Sequence, residues 1–191
     1  KELSKGQHCL ILAPEIGLIP QLVDRFTACF GSRVLEYHSG CSEKDRIYTW
    51  RKVLQAVEPV VVIGTRSAIF LPLKPLGLIV LDEEHDSSYK QESPMPCYHA
   101  RELAIDRAAR VGAKVLLGSA TPSLATWKNL IPRGPVAFTR LDHRIENKPL
   151  PDVHVVDMRQ ELAEGNRRLI SRPLLDRLSL LRECGEQAVI L

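Results

Sequence analysis

The sequence predicts a doubly wound α/β domain, with a mostly parallel sheet and helices on both faces. Short runs rich in Val, Ile and Leu alternate with longer amphipathic segments, which is the pattern of buried parallel strands and their covering helices. Unusual polar residues follow directly after several of these runs. Ligand sites of open α/β sheets form at the carboxyl ends of the strands, so this placement also favours the same fold class.

The predicted elements follow one another in regular alternation. Seven apolar runs are predicted as strands, at residues 9–13, 34–37, 60–64, 78–82, 115–118, 136–141 and 153–157. Four amphipathic segments are predicted as helices, at residues 19–30, 42–57, 98–111 and 122–130. Ser42, with Asp45 three residues later, resembles a helix-capping pair, and Gly112 stands where a helical pattern should stop. Each helix thus has a place between two strands.

The domain organisation is predicted from a change in pattern after residue 141. The expected parts are a first domain at residues 1–141, a connecting segment at residues 142–171 and the beginning of a second domain at residues 172–191. Residues 142–152 mix charges with Pro149 and Pro151 and show neither a helical nor a strand period. A helix is predicted at residues 172–184, and the apolar run at 188–191 is predicted as the first strand of the second domain.

The composition excludes several classes of protein. The 191 residues include 26 basic and 23 acidic ones, with a net charge of +3, too even a balance to identify a nucleic-acid-binding protein by charge. The five cysteines are odd in number and contain no CxxC pair, which argues against a zinc knuckle and a disulfide framework. No apolar run approaches the roughly 18 residues of a membrane helix, and no signal-peptide core follows the first residues. We therefore expect a cytoplasmic protein without a membrane partner, and the absence of an initiator Met is compatible with a piece of a longer protein.

The strongest single signal is the segment at residues 78–85, in which four apolar residues precede Asp82, Glu83, Glu84 and His85. In P-loop NTPases an Asp in this place holds the Mg²⁺ that bridges the β- and γ-phosphate oxygens. The adjacent Glu83 would orient and deprotonate the attacking water, and His85 is expected to contact the next motif. For this segment alone, a strand that merely ends in an acidic turn is the alternative interpretation.

Three further motifs fall at the carboxyl ends of predicted strands. They are Ala13-Pro14-Glu15, Gly64-Thr65-Arg66-Ser67 and Gly118-Ser119-Ala120-Thr121-Pro122. Their order around the acidic tetrad resembles the motor of superfamily 2 DNA helicases, in which the acidic box is motif II and the Ser-Ala-Thr triplet is motif III. Within that superfamily, DEEHDSSYKQ at residues 82–91, followed by YHAR at residues 98–101, resembles the PriA family of bacterial replication-restart helicases.

The resemblance implies a RecA-like P-loop NTPase lobe that uses ATP and Mg²⁺. Asp82, Glu83 and His85 would be catalytic, with Asp82 and Glu83 at the nucleotide and Asp82 on the metal. The residues that would bind DNA, or couple DNA to hydrolysis, are Pro14, Thr65, Arg66, Ser67, Tyr89, Lys90, Ser119 and Thr121. Members of the family unwind DNA in the 3′ to 5′ direction.

The same resemblance implies the surroundings in which the protein would act. The expected partners are forked and single-stranded DNA, primosome proteins and single-stranded DNA-binding protein, with a monomeric protein near the bacterial nucleoid. Zinc is expected in the full-length protein but not on this chain, because the cysteine-rich insertion of the family is not among these residues.

The segment at residues 86–98 resembles the aromatic-rich loop by which such helicases sense DNA. Its composition is that of an exposed connection. Tyr89 is therefore predicted to stack on a base and Lys90 to contact a phosphate. Residues 92–97 are less aromatic than in relatives, and a surface loop without function is the alternative interpretation.

The phosphate-binding pattern G-x-x-x-x-G-K-[ST] occurs nowhere in the 191 residues. The isolated chain is therefore expected to be inactive. Two other functions remain open at this point. One is a primosome scaffold that binds forked DNA without hydrolysing ATP. The other is a different superfamily 2 translocase, such as a RecQ-like helicase, although the DSSYKQ and YHAR runs weigh against it.

Overall fold

The computed structural model describes residues 1–129, 137–143, 146 and 149–190. The chain divides into two compact units, Lys1–Phe138 and Thr139–Leu191. None of the helices in the described part of the chain is long and apolar enough to cross a membrane.

The first unit holds the strands and most of the helices. Its strands are β1 (His8–Leu12), β2 (Val34–Tyr37), β3 (Val61–Gly64), β4 (Leu76–Leu81), β5 (Lys90–Gln91), β6 (Tyr98–His99) and β7 (Lys114–Leu117). Its α-helices are α1 (Ile19–Phe30), α2 (Glu43–Leu54), α3 (Ala100–Val111) and α4 (Leu124–Asn129). Short 3₁₀ turns lie at Leu3–Lys5, Ile16–Leu18, Gly31–Arg33, Arg66–Phe70 and Ser87–Tyr89. The second unit contains α5 (Met158–Ala163) and α6 (Arg172–Glu183).

Five strands form a parallel sheet in the order β2-β3-β1-β4-β7. The chain passes from β3 on one side of the central β1 to β4 on its other side, so the winding direction reverses between β1 and β4. A reversal of this kind opens a crevice at the carboxyl ends of the two strands. Leu12 and Leu81, the last residues of β1 and β4, are paired there.

Both faces of this sheet are covered. In β1, Leu10 and Leu12 belong to the core cluster that contains residues of α2 and α3, whereas Cys9 and Ile11 pack with residues of α1. All five residues of β1 are buried, which explains why the four that follow His8 are all apolar. The predicted doubly wound α/β class is confirmed.

Several predicted bounds are corrected by local pairing and capping. Ser42 accepts a hydrogen bond from the Asp45 amide and caps α2, as predicted, but α2 ends at Leu54. The predicted helix at residues 98–111 begins at Ala100, because Tyr98 and His99 pair with β5 in a two-stranded antiparallel sheet. The described part of the predicted helix 122–130 is the shorter α4.

The strand predictions after residue 130 are wrong wherever the structure describes those residues. Residues 137–141, 153–157 and 188–190 contain no strand, whereas residues 136 and 191 lie outside the described part. Val153 and Val155 are 82% and 93% exposed. No described strand pairs with this alternating segment, and alternation does not form a strand without a partner.

A carboxylate joins the two helices of the second unit. Glu161 on α5 accepts hydrogen bonds from the main-chain amide and the guanidinium of Arg172 and from the side-chain amide of Asn166. These bonds, first that from the Arg172 amide, lower the pKa of Glu161 to about 2. Residues on both sides of position 172 therefore belong to one compact unit.

Candidate active site

Asp82 lies at the crevice between β1 and β4. Its amide donates to the Leu12 carbonyl at 3.0 Å, which continues the parallel pairing one residue beyond β4. A Cβ atom on Gly118 would lie 3.7 Å from the Asp82 carboxylate. Gly118 therefore borders the carboxylate without a side chain of its own. The strand end thus presents Asp82 in the place that its sequence context predicts.

Glu83 leaves the strand with a backbone conformation that side-chain-bearing residues rarely adopt. Its φ is +45°, in the left-handed region that costs non-glycine residues about 1–3 kcal/mol. Its Oε2 atom is buried and accepts no hydrogen bond from any residue that the structure describes. A buried oxygen that accepts no hydrogen bond is suited to a water molecule or a cation.

The two adjacent carboxylates fit a magnesium–nucleotide complex. Mg²⁺ in phosphate-transfer sites takes one or two carboxylates and completes its shell with water and phosphate oxygens. Asp82 at the strand end would hold the metal. The Glu83 oxygen that accepts no hydrogen bond from the described residues remains able to accept a proton from water.

His85 joins the acidic box to the Ser-Ala-Thr motif. Its Nδ1 lies 2.7 Å from the Ser119 hydroxyl, and its Nε2 lies 3.3 Å from the Thr121 hydroxyl. The same Nδ1 lies 3.6 Å from the Glu83 carboxylate. The expected contact with the next motif is therefore present. It reaches from the candidate hydrolytic residues to the segment after β7.

Tyr89 is not where the sequence predicted it. Its side chain is fully buried, and its hydroxyl lies 2.8 Å from the Leu12 carbonyl and 2.6 Å from the Asp82 carbonyl. Burial, aided by the charges of Asp82 and other nearby carboxylates, raises the pKa of Tyr89 far above its usual value. Stacking of Tyr89 on a base is thus contradicted, because the ring fills the core beneath the ends of β1 and β4.

Arg66 also contacts the loop at residues 86–98, which contains Tyr89. One of its terminal nitrogens donates to the carbonyls of Ser88 and Lys90, at 3.2 and 2.8 Å, and its guanidinium lies 5.7 Å from the centre of the Tyr98 ring. Together with Tyr89, it holds the first half of the loop against the sheet. Thr65 and Ser67 flank it and are half-buried.

Gly64 shows why the motif before Arg66 begins with glycine. A Cβ atom at this position would lie 2.1 Å from the Tyr37 carbonyl of the neighbouring β2, so no residue with a side chain fits at this end of β3. The Gly64 carbonyl accepts the Ala13 amide at 2.9 Å. Pro14 therefore emerges beside this motif.

Lys90 remains exposed, as predicted. It forms an ion pair of 2.8 Å with Glu92, whose hydrogen bond raises the pKa of Lys90. Its side chain can therefore reach solvent or a phosphate, whereas Tyr89 beside it cannot.

Comparisons with known proteins agree with this geometry. A family model described as DEAD/DEAH box helicase matches residues 1–130. The chain belongs to this family.

The similarity extends to curated proteins named replication restart protein PriA. That of Synechocystis sp. is 50% identical over 98% of this chain, and that of Bacillus subtilis is 46% identical over all of it. The match covers 23% of each relative, so the chain spans about a quarter of their length. The resemblance to PriA that the motifs indicated is confirmed. The parallel sheet fits the RecA-like lobe of DEAD/DEAH box helicases.

The acidic tetrad contains a residue to which the sequence assigned no role. Glu84 is buried and bonded to Arg101, Ser123 and Thr126. The sequence contained only a weak signal, a third consecutive carboxylate after a buried strand, and a carboxylate needs a cation near it only when it is buried. Only the fold shows that the Arg of YHAR supplies that cation.

A second cluster of polar side chains lies at the end of β2. Ligand atoms of Glu36, His38 and Cys41 lie within 4.8 Å of one another. However, Nδ1 of His38 accepts the Gly40 amide at 3.1 Å, which leaves the ring proton on Nε2, facing Glu36. Neither ring nitrogen then offers a free lone pair to a metal.

Proposed function

We propose that this chain is part of the motor of an ATP-dependent 3′ to 5′ DNA helicase that acts in replication restart at stalled forks. The carrying observation is the acidic box at the β1–β4 crevice, with His85 bonded to Ser119 and Thr121 of the next motif. Similarity to PriA proteins over nearly the whole chain supports the biological role.

In the proposed reaction, three residues of the box have separate tasks. Asp82 binds Mg²⁺, which offsets charge on the phosphates of ATP. Glu83 accepts a proton from the attacking water. His85 connects the state of this site to Ser119 and Thr121. Pro14, Thr65, Arg66, Ser67 and Lys90 belong to the side on which DNA would lie.

The proposal extends to partners and location. Forked and single-stranded DNA would be the substrates, with primosome proteins and single-stranded DNA-binding protein as partners of a monomer in the bacterial cytoplasm. Zinc would be bound elsewhere in the full-length protein. Residues 172–191 would begin the second motor lobe, after a connecting segment at residues 142–171.

Strand separation by the full-length protein tests this function. Duplexes with a 3′ or a 5′ single-stranded tail, and forked duplexes, are incubated with ATP and Mg²⁺ or with a non-hydrolysable ATP analogue. We expect unwinding only with ATP, and from the 3′ tail and the fork. Fork binding without hydrolysis would instead support a scaffold, and unwinding from the 5′ tail alone would contradict the direction.

A further inference from the structure

Glu84 is the most buried member of the acidic tetrad. Its side chain is 1% exposed, whereas those of its neighbours reach the crevice. One carboxylate oxygen accepts the Ser123 amide at 2.8 Å. The other lies 2.8 Å from the Arg101 guanidinium and 2.9 Å from the Thr126 hydroxyl. The carboxylate thus joins its own segment to α3, through Arg101, and to the start of α4, through Ser123 and Thr126.

The charge of Glu84 is retained despite its burial. Burial alone would raise the pKa of Glu84, but the hydrogen bonds from Arg101, Ser123 and Thr126 outweigh this and lower it. Arg101 also donates to Glu102 at 2.9 and 3.1 Å, and that carboxylate is 62% exposed. One arginine therefore serves a buried and an exposed carboxylate.

The main chain of Glu84 makes a second connection. Its amide donates to the Gly118 carbonyl at 2.9 Å, while its side chain holds Ser123. The segment between these two anchors contains Ser119 and Thr121, whose hydroxyls contact His85. Glu84 consequently binds both ends of the segment at residues 118–123, and the middle of this segment contacts His85.

We propose that Glu84 is a positioning residue, which fixes the segment at residues 118–123 and so sets the contact between His85 and the hydroxyls of Ser119 and Thr121. Glu84 acts through His85 and does not touch the nucleotide. The inference rests on the proposed function, because its effect is expressed in DNA-stimulated hydrolysis.

Positioning accounts for this network better than stability alone does. A buried ion pair contributes little net stability, because desolvation offsets its attraction. Small displacements of catalytic groups, in contrast, are costly: a shift of about 1 Å can slow a reaction roughly 100-fold. The carboxylate of Glu84 is placed to prevent such a shift.

The test uses Glu84→Gln in the full-length protein, with Glu102→Gln as the matched control on the same arginine. ATP hydrolysis is measured with and without single-stranded DNA, together with nucleotide affinity and the melting temperature. We expect Glu84→Gln to reduce DNA-stimulated turnover roughly 10- to 100-fold and to leave nucleotide affinity within about twofold. Glu102→Gln should behave as the wild type.

A double-mutant cycle separates positioning from a general structural effect. If Glu84 acts through His85, adding Glu84→Gln to His85→Ala should slow stimulated turnover no further, whereas independent effects would multiply. Should Glu84→Gln fail to fold, Ser123→Ala, which removes one oxygen from the same network, takes its place in the cycle.

The outcomes distinguish this inference from the proposed function. A wild-type protein without DNA-stimulated hydrolysis would overturn the proposed function, and the inference with it. Normal wild-type stimulation with multiplicative effects in the cycle, or with Glu84→Gln equal to Glu102→Gln, would overturn the positioning role alone.

Discussion

Asp82 and Glu83 are adjacent in sequence but differ in their surroundings. Asp82 directly follows a regular strand, whereas Glu83 has a left-handed backbone and a buried oxygen that accepts no hydrogen bond from the described residues. This difference supports a division of labour between metal binding and proton transfer. The acidic pair was predictable from the sequence, but its backbone conformation was not.

Asp82→Ala in the full-length protein should weaken the binding of Mg²⁺–ATP as well as its hydrolysis, because the proposed metal ligand is lost. Fluorescent-nucleotide titration at several Mg²⁺ concentrations measures the effect. Unchanged magnesium dependence would remove Asp82 from the metal site.

Tyr89→Phe tests the corrected position of this tyrosine. The variant keeps the ring in the core but leaves the carbonyls of Leu12 and Asp82 without the hydroxyl. We expect the free energy of unfolding of the 191-residue chain to fall by about 1–3 kcal/mol, measured by denaturant titration.

Ultraviolet crosslinking adds an independent check on Tyr89. A crosslink from Tyr89 to single-stranded DNA in the full-length protein would show that the ring leaves the core and would restore the stacking role. For the denaturant titration of Tyr89→Phe, the control is Tyr48→Phe, which removes a hydroxyl from an exposed tyrosine.

His8 should make the stability of the chain depend on pH. Its ring accepts the Val60 amide and donates to the Lys74 carbonyl, and burial lowers the pKa of His8. The unfolded chain therefore binds a proton more readily than the folded one. Stability from this source is complete above the unfolded pKa of about 6.5 and is lost as the pH falls below it.

Denaturant titrations between pH 5 and pH 8 measure this dependence. The wild type should lose more stability on acidification than His8→Asn, which cannot take up the proton. Parallel pH profiles of the two chains would show that His8 is not the cause.

At the scale of elements, sequence patterns predicted the strands that lie inside the parallel sheet. The run at 9–13 is apolar throughout because both faces of β1 are covered. The run at 153–157 is rich in Val but interrupted by His154 and ended by Asp157, and the structure describes no strand beside it. The pairing of β5 with β6 joins residues nine apart at Lys90 and His99, and two-residue strands are too short to show a period.

The contacts of the candidate site were predictable only in part. The order of the motifs placed Asp82, His85, Ser119 and Thr121 at the carboxyl ends of neighbouring strands, and the structure brings them together. Tyr89 was misplaced because a tyrosine in a polar loop gives no local sign of burial. Its place in the core depends on the distant Leu12 carbonyl.

Arg66 should control the order of the loop that follows the acidic box. Without its guanidinium, the carbonyls of Ser88 and Lys90 lose their donor. In Arg66→Ala, hydrogen exchange at residues 87–91 should be faster than in the wild type. Arg110→Ala is the control, because Arg110 is 75% exposed and pairs with Asp106 on its own helix. Equal exchange in both variants would show that Arg66 does not hold the loop.

At the scale of the whole molecule, the chain carries the acidic box of a motor but no G-x-x-x-x-G-K-[ST] sequence. Backbone amides and the lysine of that loop bind the phosphates in P-loop NTPases. The purified 191-residue polypeptide should therefore show no ATP hydrolysis above background, with or without single-stranded DNA. DNA-stimulated turnover by this polypeptide would show that hydrolysis does not require the phosphate-binding loop.

The central claim is that ATP is hydrolysed at the carboxyl end of β4, by Asp82 and Glu83. In the full-length protein, Glu83→Gln keeps the shape of the side chain but removes the group that accepts the proton. The deciding measurement is single-turnover ATP hydrolysis by this variant and the wild type, with nucleotide affinity determined in parallel. Hydrolysis slowed at least about 100-fold, within the usual range for loss of a general base, with nearly unchanged affinity is the predicted result. Equal hydrolysis by the two proteins would contradict it.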